Sequence, residues 1–316
     1  MKDWKNERPG AGPLFSADRY SFRILTICSP MILVTGATGT IGRRVLRLLS
    51  ERGIPTRALS RNPSQGETLP HVEWAEADLG EPETLPSVFD GANRLFILTG
   101  NARSMTRLQK NAIDAAANAG VEHVVKLSAR GADPGSKSAI GQWHHEVETY
   151  LKAAGPTWTM LRPHVFMQNL LGQAERIRSQ GEIRAPSGEG RIPLVDIRDI
   201  ADVAAQVLTE DGHGKETYIL TGGEAIDYHQ VAGAIGTATK QDVEYVPESF
   251  DEARARFEDE GLPDWLIDSK LALAWYHRAG GATARTTRDI YDVTGQPPRT
   301  IVQFAYDYKS AFSQPA

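Results

Sequence analysis

The chain has 316 residues, of which 41% are hydrophobic and 24% charged, with a formal net charge of −5. These values are typical of a globular protein with one large domain or two small ones, and they exclude a disordered chain. The sequence has no long basic run, so direct nucleic-acid binding is not expected. The single cysteine, Cys28, excludes an internal disulfide framework and a cysteine-based zinc site, and no metal site is expected.

The N-terminal 30 residues contain only a broken apolar run, Phe22 to Cys28, which is shorter than the apolar region of a secretory signal. No stretch of the chain reaches the roughly 18 apolar residues that a membrane-spanning helix needs. We therefore expect residues 1–30 to form a poorly ordered extension. We also expect a cytoplasmic protein with no membrane partner.

From Met31 onward, short apolar runs alternate with amphipathic segments. The predicted strands are Met31–Thr35, Thr56–Ser60, Val72–Ala75, Arg94–Leu98, His123–Ser128 and Trp158–Leu161. The predicted helices between them are Thr40–Arg52, Pro82–Phe89, Ser104–Ala119 and Gly141–Ala154. This alternation predicts an α/β fold of the Rossmann type, a doubly wound parallel sheet with right-handed crossovers.

After Pro163 the alternation loosens, and a smaller, mostly helical C-terminal substrate lobe is expected. Val195–Leu208 reads as a helix, Glu216–Gly222 as a strand and Glu244–Val246 as a short strand. We expect residues 31–316 to form a single domain. Its cofactor part would be about 31–162 plus 192–222, and its substrate lobe about 163–191 and 223–316.

The strongest motif is "TGATGTIGRRV", which follows the first predicted strand and opens the first helix. Its glycines permit a tight turn, close approach of backbone N–H groups to a pyrophosphate, and close packing of helix on strand. The helix N-terminus adds a partial positive charge. The motif predicts a dinucleotide site formed by Gly36, Thr38, Gly39, Thr40, Ile41 and Gly42.

The end of the second strand indicates which dinucleotide binds. A protein that reads the ribose 2′-hydroxyl carries Asp or Glu there, roughly 20 residues past the glycines. Here Ser60 and Arg61 stand instead. A guanidinium can pair with a 2′-phosphate, so NADP(H) is favoured over NAD(H), although a solvated surface arginine is the alternative. Further cofactor contacts are expected from Asp78 and Leu79 at the adenine, and from Leu98 and Thr99 at the nicotinamide ribose.

At these residues the chain resembles the NmrA-like group of atypical short-chain dehydrogenase/reductases. The segments that carry the resemblance lie between residue 31 and about residue 312, and they are "MILVTGATGTIGRRVLRLL", "ALSRNP", "KLSARGA", "HHEVETYLKAAG", "TMLRPHVFMQNL" and "VDIRDIADVAAQVL". That group includes NAD(P)H:quinone reductases, triphenylmethane and azo-dye reductases, and NADP-sensing regulators. The resemblance also implies that Pro163 and Phe166 lie over the nicotinamide, although Phe166 could equally be core.

One departure bears on the chemistry. Typical short-chain dehydrogenases carry Tyr-x-x-x-Lys, in which the tyrosine is the acid/base, but none of the nine tyrosines here has Lys four residues later. In the NmrA-like group the corresponding helix offers a Lys or His four residues before a Glu, and His144 holds that position before Glu148. His144 could donate a proton or a hydrogen bond, or only line the pocket, and Glu148 could orient it or form a surface pair.

Several other residues are candidates for the site or for a structural role. Ser128 ends the fifth strand, where its hydroxyl could contact substrate or ribose, or bond within a turn. His145 is expected to face solvent, and Asp196 and Asp199 to cap the following helix. Trp265 and Trp275 suit an aromatic lid or packing against the main body.

The expected function is NADPH-dependent hydride transfer to a small quinone or related conjugated aromatic acceptor by a monomer or homodimer. His144 and Ser128 are the candidate catalytic residues. A redox-sensing regulator without turnover and a tailoring enzyme of secondary metabolism are the alternatives, because one fold supports all three.

Overall fold

The computed structural model describes residues 31–314, and the predicted N-terminal extension lies outside the described residues. The strands are β1 (Ile32–Val34), β2 (Thr56–Ser60), β3 (Val72–Glu76), β4 (Arg94–Ile97), β5 (His123–Leu127), β6 (Thr157–Pro163), β7 (Glu182–Ala185), β8 (Glu216–Leu220) and β9 (Glu244–Pro247). The helices are α1 (Thr40–Glu51), α2 (Pro86–Phe89), α3 (Met105–Asn118), α4 (Ala139–Ala153), α5 (Ala174–Gln180), α6 (Ile197–Thr209), α7 (Tyr228–Thr239), α8 (Phe250–Asp259), α9 (Asp264–Ala279), α10 (Asp289–Thr294), α11 (Ile301–Asp307) and α12 (Lys309–Phe312).

Seven strands form one sheet in the order β3-β2-β1-β4-β5-β6-β8, and every pair in it is parallel. The remaining two strands, β7 and β9, pair separately. The chain leaves β1 in one direction to form β2 and β3, and later returns to the other side of β1 to form β4. The carboxyl ends of β1 and β4 therefore flank the crevice in which doubly wound sheets bind their ligands.

Alternate residues of the central strands enter two different cores, as the two-residue period of a strand requires. Ile32 and Val34 of β1 face one core, which α1 and α6 complete, whereas Leu33 faces the other, built with α2, α3 and α4. Both faces of the sheet are thus covered by helices, which is why these strands read as continuous apolar runs. The predicted doubly wound parallel sheet is confirmed.

The predicted elements are confirmed with small shifts at their ends. The helix expected over Pro82–Phe89 divides into a 3-10 turn, Pro82–Thr84, followed by α2, because Pro86 has no N–H to continue the first turn and instead begins α2. Gly120 and Gly155 follow α3 and α4 with φ of +74° and +106°, as expected for residues that end helices.

The C-terminal part contains a core of its own, with members between 165 and 194 and between 226 and 312. It is mostly helical from α7 to α12, as expected. Helix α5 and strand β7 were not predicted, since β7 has only four residues and two apolar side chains. The assignment of one part to cofactor and the other to substrate stays a prediction.

Asp196 joins the N-terminus of α6 to Gln168 in the segment after β6. Its buried carboxylate caps α6 by accepting from Arg198 N at 2.9 Å, and it also accepts from Gln168 Nε2 at 2.9 Å and Arg198 Nη2 at 2.7 Å. The expected capping role of Asp199 was wrong. Asp199 lies inside the first turn of α6, where its carboxylate pairs with the Arg299 guanidinium and accepts from Arg299 N at 2.9 Å.

We expect Asp196→Ala to lower the free energy of unfolding by about 2 kcal/mol, the upper end for loss of a helix cap, because Gln168 and Arg198 also lose their acceptor. Urea unfolding followed by circular dichroism measures the difference. Asp196→Asn retains one acceptor oxygen and should lose less. A change of under about 0.5 kcal/mol in Asp196→Ala, the size of an ordinary surface substitution, would contradict the role.

Candidate functional site

The glycine turn after β1 is shaped by close backbone contacts. Gly36 has a φ of +58°, and a Cβ placed on it would lie 2.7 Å from the carbonyl oxygen of Leu98. A Cβ on Gly42 would lie 2.3 Å from the carbonyl oxygen of Gly36. These two glycines are therefore required by the approach of β4 and of α1 to the turn.

Gly39 has a different role, because a Cβ there would meet only the Gly36 carbonyl oxygen, at 3.2 Å. It is the N-cap residue of α1, yet no side chain caps the helix and no acidic residue lies in its first turn. Thr38 is half-buried, Thr40 is exposed, and Ile41 is buried against the core. The uncapped N–H groups and the partial positive charge of the helix form a cradle that fits a phosphate group.

The hydroxyl of Thr35 holds the two strands together at this crevice. Its Oγ1 accepts from Leu98 N and donates to the Leu98 carbonyl, each at 3.0 Å. The neighbouring Thr99 accepts from Gln109 Nε2 at 2.9 Å. Thr35 and Gln109 were not predicted, because neither contact follows from local spacing.

The remaining cofactor candidates lie where their strands end. Arg61 is exposed directly after β2, and no carboxylate within residues 31–314 pairs with it. Asp78 and Leu79 follow β3, and an oxygen of the Asp78 carboxylate accepts from Gly80 N at 2.7 Å. Leu79 is buried, and its carbonyl accepts from Asn111 at 2.7 Å.

Two candidates come from the end of β6 and the segment after it. Pro163 is the last residue of β6 and is buried. Phe166 forms a bridge with Val195 and packs, half-buried, against the core that contains Leu98. This packing brings Phe166 to the same side of the sheet as α1.

On the opposite face of the sheet, a buried carboxylate lies between α4, β5 and β6. Glu148 is only 1% exposed, and it accepts from Ser128 Oγ at 2.5 Å and from Arg162 Nε and Nη2 at 2.9 and 2.5 Å. Burial alone would raise the pKa of Glu148, but the hydrogen bonds from Arg162 and Ser128 hold it below its usual value. The carboxylate is therefore charged and fully engaged.

His144 lies one turn earlier on α4 and is 7% exposed. Its Nδ1 is 2.8 Å from Nζ of Lys126, which lies on β5. Burial, together with the charges of Lys126 and Arg162, lowers the pKa of His144 well below its usual value, so the ring is neutral at pH 7.

The expectation that Glu148 could orient His144 was wrong, as was that of a surface pair between them. Both side chains face the sheet, and each takes its partners from the strands rather than from the other. His145 is half-buried.

Lys126 was not predicted, although the sequence carries a signal for it. A lysine interrupts the apolar run "HVVKL" of a strand that the fold covers on both faces. A charged side chain in such a strand is buried at a cost, so it is found there with specific partners. Burial lowers the pKa of Lys126 to about 7, and Glu148 opposes this shift.

The aromatic residues of α9 have separate environments. Trp265 packs on Trp143 of α4, with ring centroids 5.1 Å apart, so packing is the better account of this residue. Trp275 is 44% exposed and lies under the ammonium group of Lys137, 4.3 Å from the ring centroid. Whether Trp275 covers a substrate stays a prediction.

Within residues 31–314, no helix is long and apolar enough to cross a membrane. The same part of the chain contains no cluster of three or more His, Cys, Asp or Glu side chains that could hold a metal ion.

This fold, with its glycine turn at the crevice, defines the class of dinucleotide-binding doubly wound proteins. A model of the NmrA-like family matches residues 29–256, and the chain belongs to that family. It is 38% identical to the NAD(P)H azoreductase of Xenophilus azovorans over 287 residues, which are 89% of this chain and 99% of that enzyme. It is 29% identical to quinone oxidoreductase 2 of Escherichia coli (strain K12), covering 86% of this chain and 96% of the relative.

Solved structures agree with this assignment. An NADPH-dependent quinone oxidoreductase from Escherichia coli, in complex with NADPH, matches with a TM-score of 0.81 and 27% identity, over 88% of this chain and 99% of that one. The triphenylmethane reductase of a Citrobacter species matches with a TM-score of 0.76 and 25% identity, over 88% and 99%. The predicted family and its fold are confirmed.

The ion pair between Glu148 and Arg162 should stabilise the protein more at neutral than at acidic pH. Arg162→Met leaves a charge buried without its partner, so we expect a loss of about 3–5 kcal/mol in the free energy of unfolding at pH 7. The low pKa of Glu148 gives the wild type stability that is present above pH 4.5 and lost as pH falls. The difference between variant and wild type should therefore shrink toward pH 4.

Urea unfolding at pH 7 and at about pH 4, below the unfolded pKa of a glutamate, measures both effects. The double variant Glu148→Gln/Arg162→Met removes the charge that the single variant leaves unpaired, and it should be more stable than Arg162→Met at pH 7. A pH-independent loss that the double variant does not reduce would contradict the interpretation.

Proposed function

We propose that the protein is an NADPH-dependent reductase that transfers hydride to a quinone or a related conjugated aromatic acceptor. The observation that carries this proposal is the uncapped N-terminus of α1 behind the glycine turn, at the point where the strand order reverses. That geometry fits the pyrophosphate of a dinucleotide. The nicotinamide, when bound, supplies the hydride.

The residues that would hold the cofactor lie at the carboxyl ends of the strands of the sheet. We assign the pyrophosphate to the turn and first residues of α1, namely Gly36, Thr38, Gly39, Thr40, Ile41 and Gly42. Arg61 would pair with the 2′-phosphate, and Asp78 and Leu79 would contact the adenine. Leu98, Thr99, Pro163 and Phe166 would line the nicotinamide end.

We assign Ser128 and His144 to the acceptor end of the site, with Ser128 as a lining residue because its hydroxyl already donates to Glu148. In parallel sheets the ligand-facing groups lie at the carboxyl ends of the strands, and Ser128 comes directly after β5. His144 is neutral and would donate a hydrogen bond or a proton to the oxygen or nitrogen on which negative charge develops. A conjugated acceptor delocalises that charge, so a neutral donor suffices and a tyrosine acid is not needed.

The names of the relatives support the acceptor class. The chain spans 99% of the NAD(P)H azoreductase and 96% of the quinone oxidoreductase, so no large part of either relative lacks a counterpart here. The regulator NmrA shares the fold at 18% identity with a TM-score of 0.70, which supports the fold alone. A small aromatic acceptor is therefore favoured over a protein partner. Whether the enzyme is a monomer or a homodimer stays a prediction.

The role of Arg61 predicts a selective loss of affinity. Arg61→Ala should weaken NADPH binding roughly tenfold or more, the size of one charge-assisted hydrogen bond, because the 2′-phosphate loses its partner. NADH has no such phosphate, so its affinity should change less than twofold. Titration of the nicotinamide fluorescence measures both dissociation constants.

Arg52→Ala is the matched control, since Arg52 follows the other end of α1 and bonds to Thr209 and Gln206. It should bind both cofactors as the wild type does. Equal losses for NADPH and NADH in Arg61→Ala would contradict the phosphate-reading role.

The reductase itself is tested by the oxidation of NADPH at 340 nm with a panel of quinones, azo dyes and triphenylmethane dyes. We expect turnover with at least one class, and a fall of kcat by about tenfold to a hundredfold in His144→Ala, the lower range for one acid–base group. The KM for NADPH should stay within about twofold.

His145→Ala is the adjacent control and should keep the wild-type rate. Tight NADPH binding without turnover of any acceptor would overturn the reductase and leave a sensor. A wild-type rate in His144→Ala would reduce this residue to a lining role.

A further inference from the structure

We propose that Lys126 is a positioning residue that holds His144 as the Nε2–H tautomer and so makes that N–H the group presented to the acceptor. The inference deepens the proposed function and rests on it for the identity of the acceptor. The tautomer itself is a property of the free protein.

The contact between the two side chains decides the tautomer. Nζ of Lys126 lies 2.8 Å from His144 Nδ1 and 3.2 Å from the carbonyl oxygen of Leu127. An ammonium group has donors and no acceptor, so Nδ1 must accept. A neutral imidazole with Nδ1 as acceptor carries its single proton on Nε2.

The other ring nitrogen is the one left for a ligand. Within residues 31–314, His144 Nε2 has no hydrogen-bond partner. The atom is nevertheless not sealed from solvent, so a ligand can reach it. A donor of this kind matches the developing negative charge of an acceptor atom. The side chain of Lys126, which is fully buried, cannot make that contact itself.

The surrounding charges keep Lys126 available for His144. From α4, Glu148 raises the pKa of Lys126 by its negative charge, and from β6 Arg162 lowers it. Glu148 is already bound by Arg162 and Ser128, so it does not take the Lys126 ammonium. On β4 the neighbour in register is the apolar Ile97.

These charges also give the arrangement a pH dependence. Burial brings the pKa of Lys126 to about 7, so its ammonium is present below that pH and lost above it. A neutral amine can accept as well as donate, so it no longer imposes the Nε2–H tautomer. The rate should therefore fall as pH rises through about 7.

The experiment compares Lys126→Met, Lys126→Arg and the control Lys152→Met, which removes an exposed lysine from the same helix α4 that carries His144. Nitrogen-15 NMR of histidine-labelled protein, with the His144 signals assigned by their loss in His144→Ala, reports which ring nitrogen is protonated. The pH profile of kcat is measured in parallel with an acceptor found in the screen.

In the wild type at pH 6.5 we expect a protonated Nε2 and a bare Nδ1. Lys126→Met should give mixed tautomers, lower kcat about tenfold and abolish the alkaline limb near pH 7, with the KM for NADPH unchanged. Lys126→Arg should retain the tautomer. The fall of kcat at alkaline pH should move to higher pH in this variant, because arginine does not titrate near pH 7. Lys152→Met should match the wild type throughout.

A wild-type tautomer and a wild-type alkaline limb in Lys126→Met would overturn the positioning role. If that variant does not fold, a bare Nε2 in the wild type would overturn it equally. The NMR measurement needs no turnover, so the expected tautomer in a protein that reduces no acceptor would refute the reductase and leave standing only the control of the His144 tautomer by Lys126.

Discussion

The buried carboxylate of Glu148 is the constraint on which the candidate catalytic site depends. A carboxylate removed from water is stable only with donors that replace its hydration, and here Arg162 in β6 and Ser128, directly after β5, supply them. These bonds join α4 to β5 and β6. They also fix the rotation of α4 about its axis, since Glu148 must face the sheet.

That rotation sets the place of His144. Residues four apart lie on the same face of a helix, so a helix that turns Glu148 toward the sheet turns His144 toward it as well. The facing atom is Nζ of Lys126 on β5. The ion pair between Glu148 and Arg162 thus sets the orientation of the His144 ring. A variant that disturbs Glu148 is therefore expected to change the position of the His144 N–H donor as well as the stability of the protein.

The part of the site that could be predicted from the sequence is formed by residues close together in the chain. The glycine turn needs only Gly36, Gly39 and Gly42 between a strand and a helix, and the structure has the expected close contacts at Gly36 and Gly42. The parallel sheet was predictable for the same reason, because its period and spacing are local. The match to the NmrA-like family and the similarity to solved structures agree with the predicted dinucleotide-binding turn and with the predicted sheet.

The contacts of the buried cluster could not be predicted in this way. Arg162 lies 14 residues from Glu148 and Lys126 lies 18 residues from His144, so only the packing of α4 on the sheet brings them together. Spacing alone favoured a contact between His144 and Glu148. In the folded chain the strands offer stronger, charged partners, and these replace the contact within the helix.

The arrangement also gives a physical account of a site without Tyr-x-x-x-Lys. In that motif the lysine lies on the helix, one turn from the tyrosine whose pKa it lowers. Here the cation is Lys126 of β5, and its neighbour is the His144 imidazole, which burial and two cations keep neutral.

Such a ring is a weak acid and a good hydrogen-bond donor. It suits an acceptor whose own conjugation carries the negative charge after hydride transfer, and it suits an isolated ketone less well. The chemistry of the donor and the acceptor class of the relatives therefore point the same way, although one rests on the contacts of Lys126 and the other on whole-chain similarity.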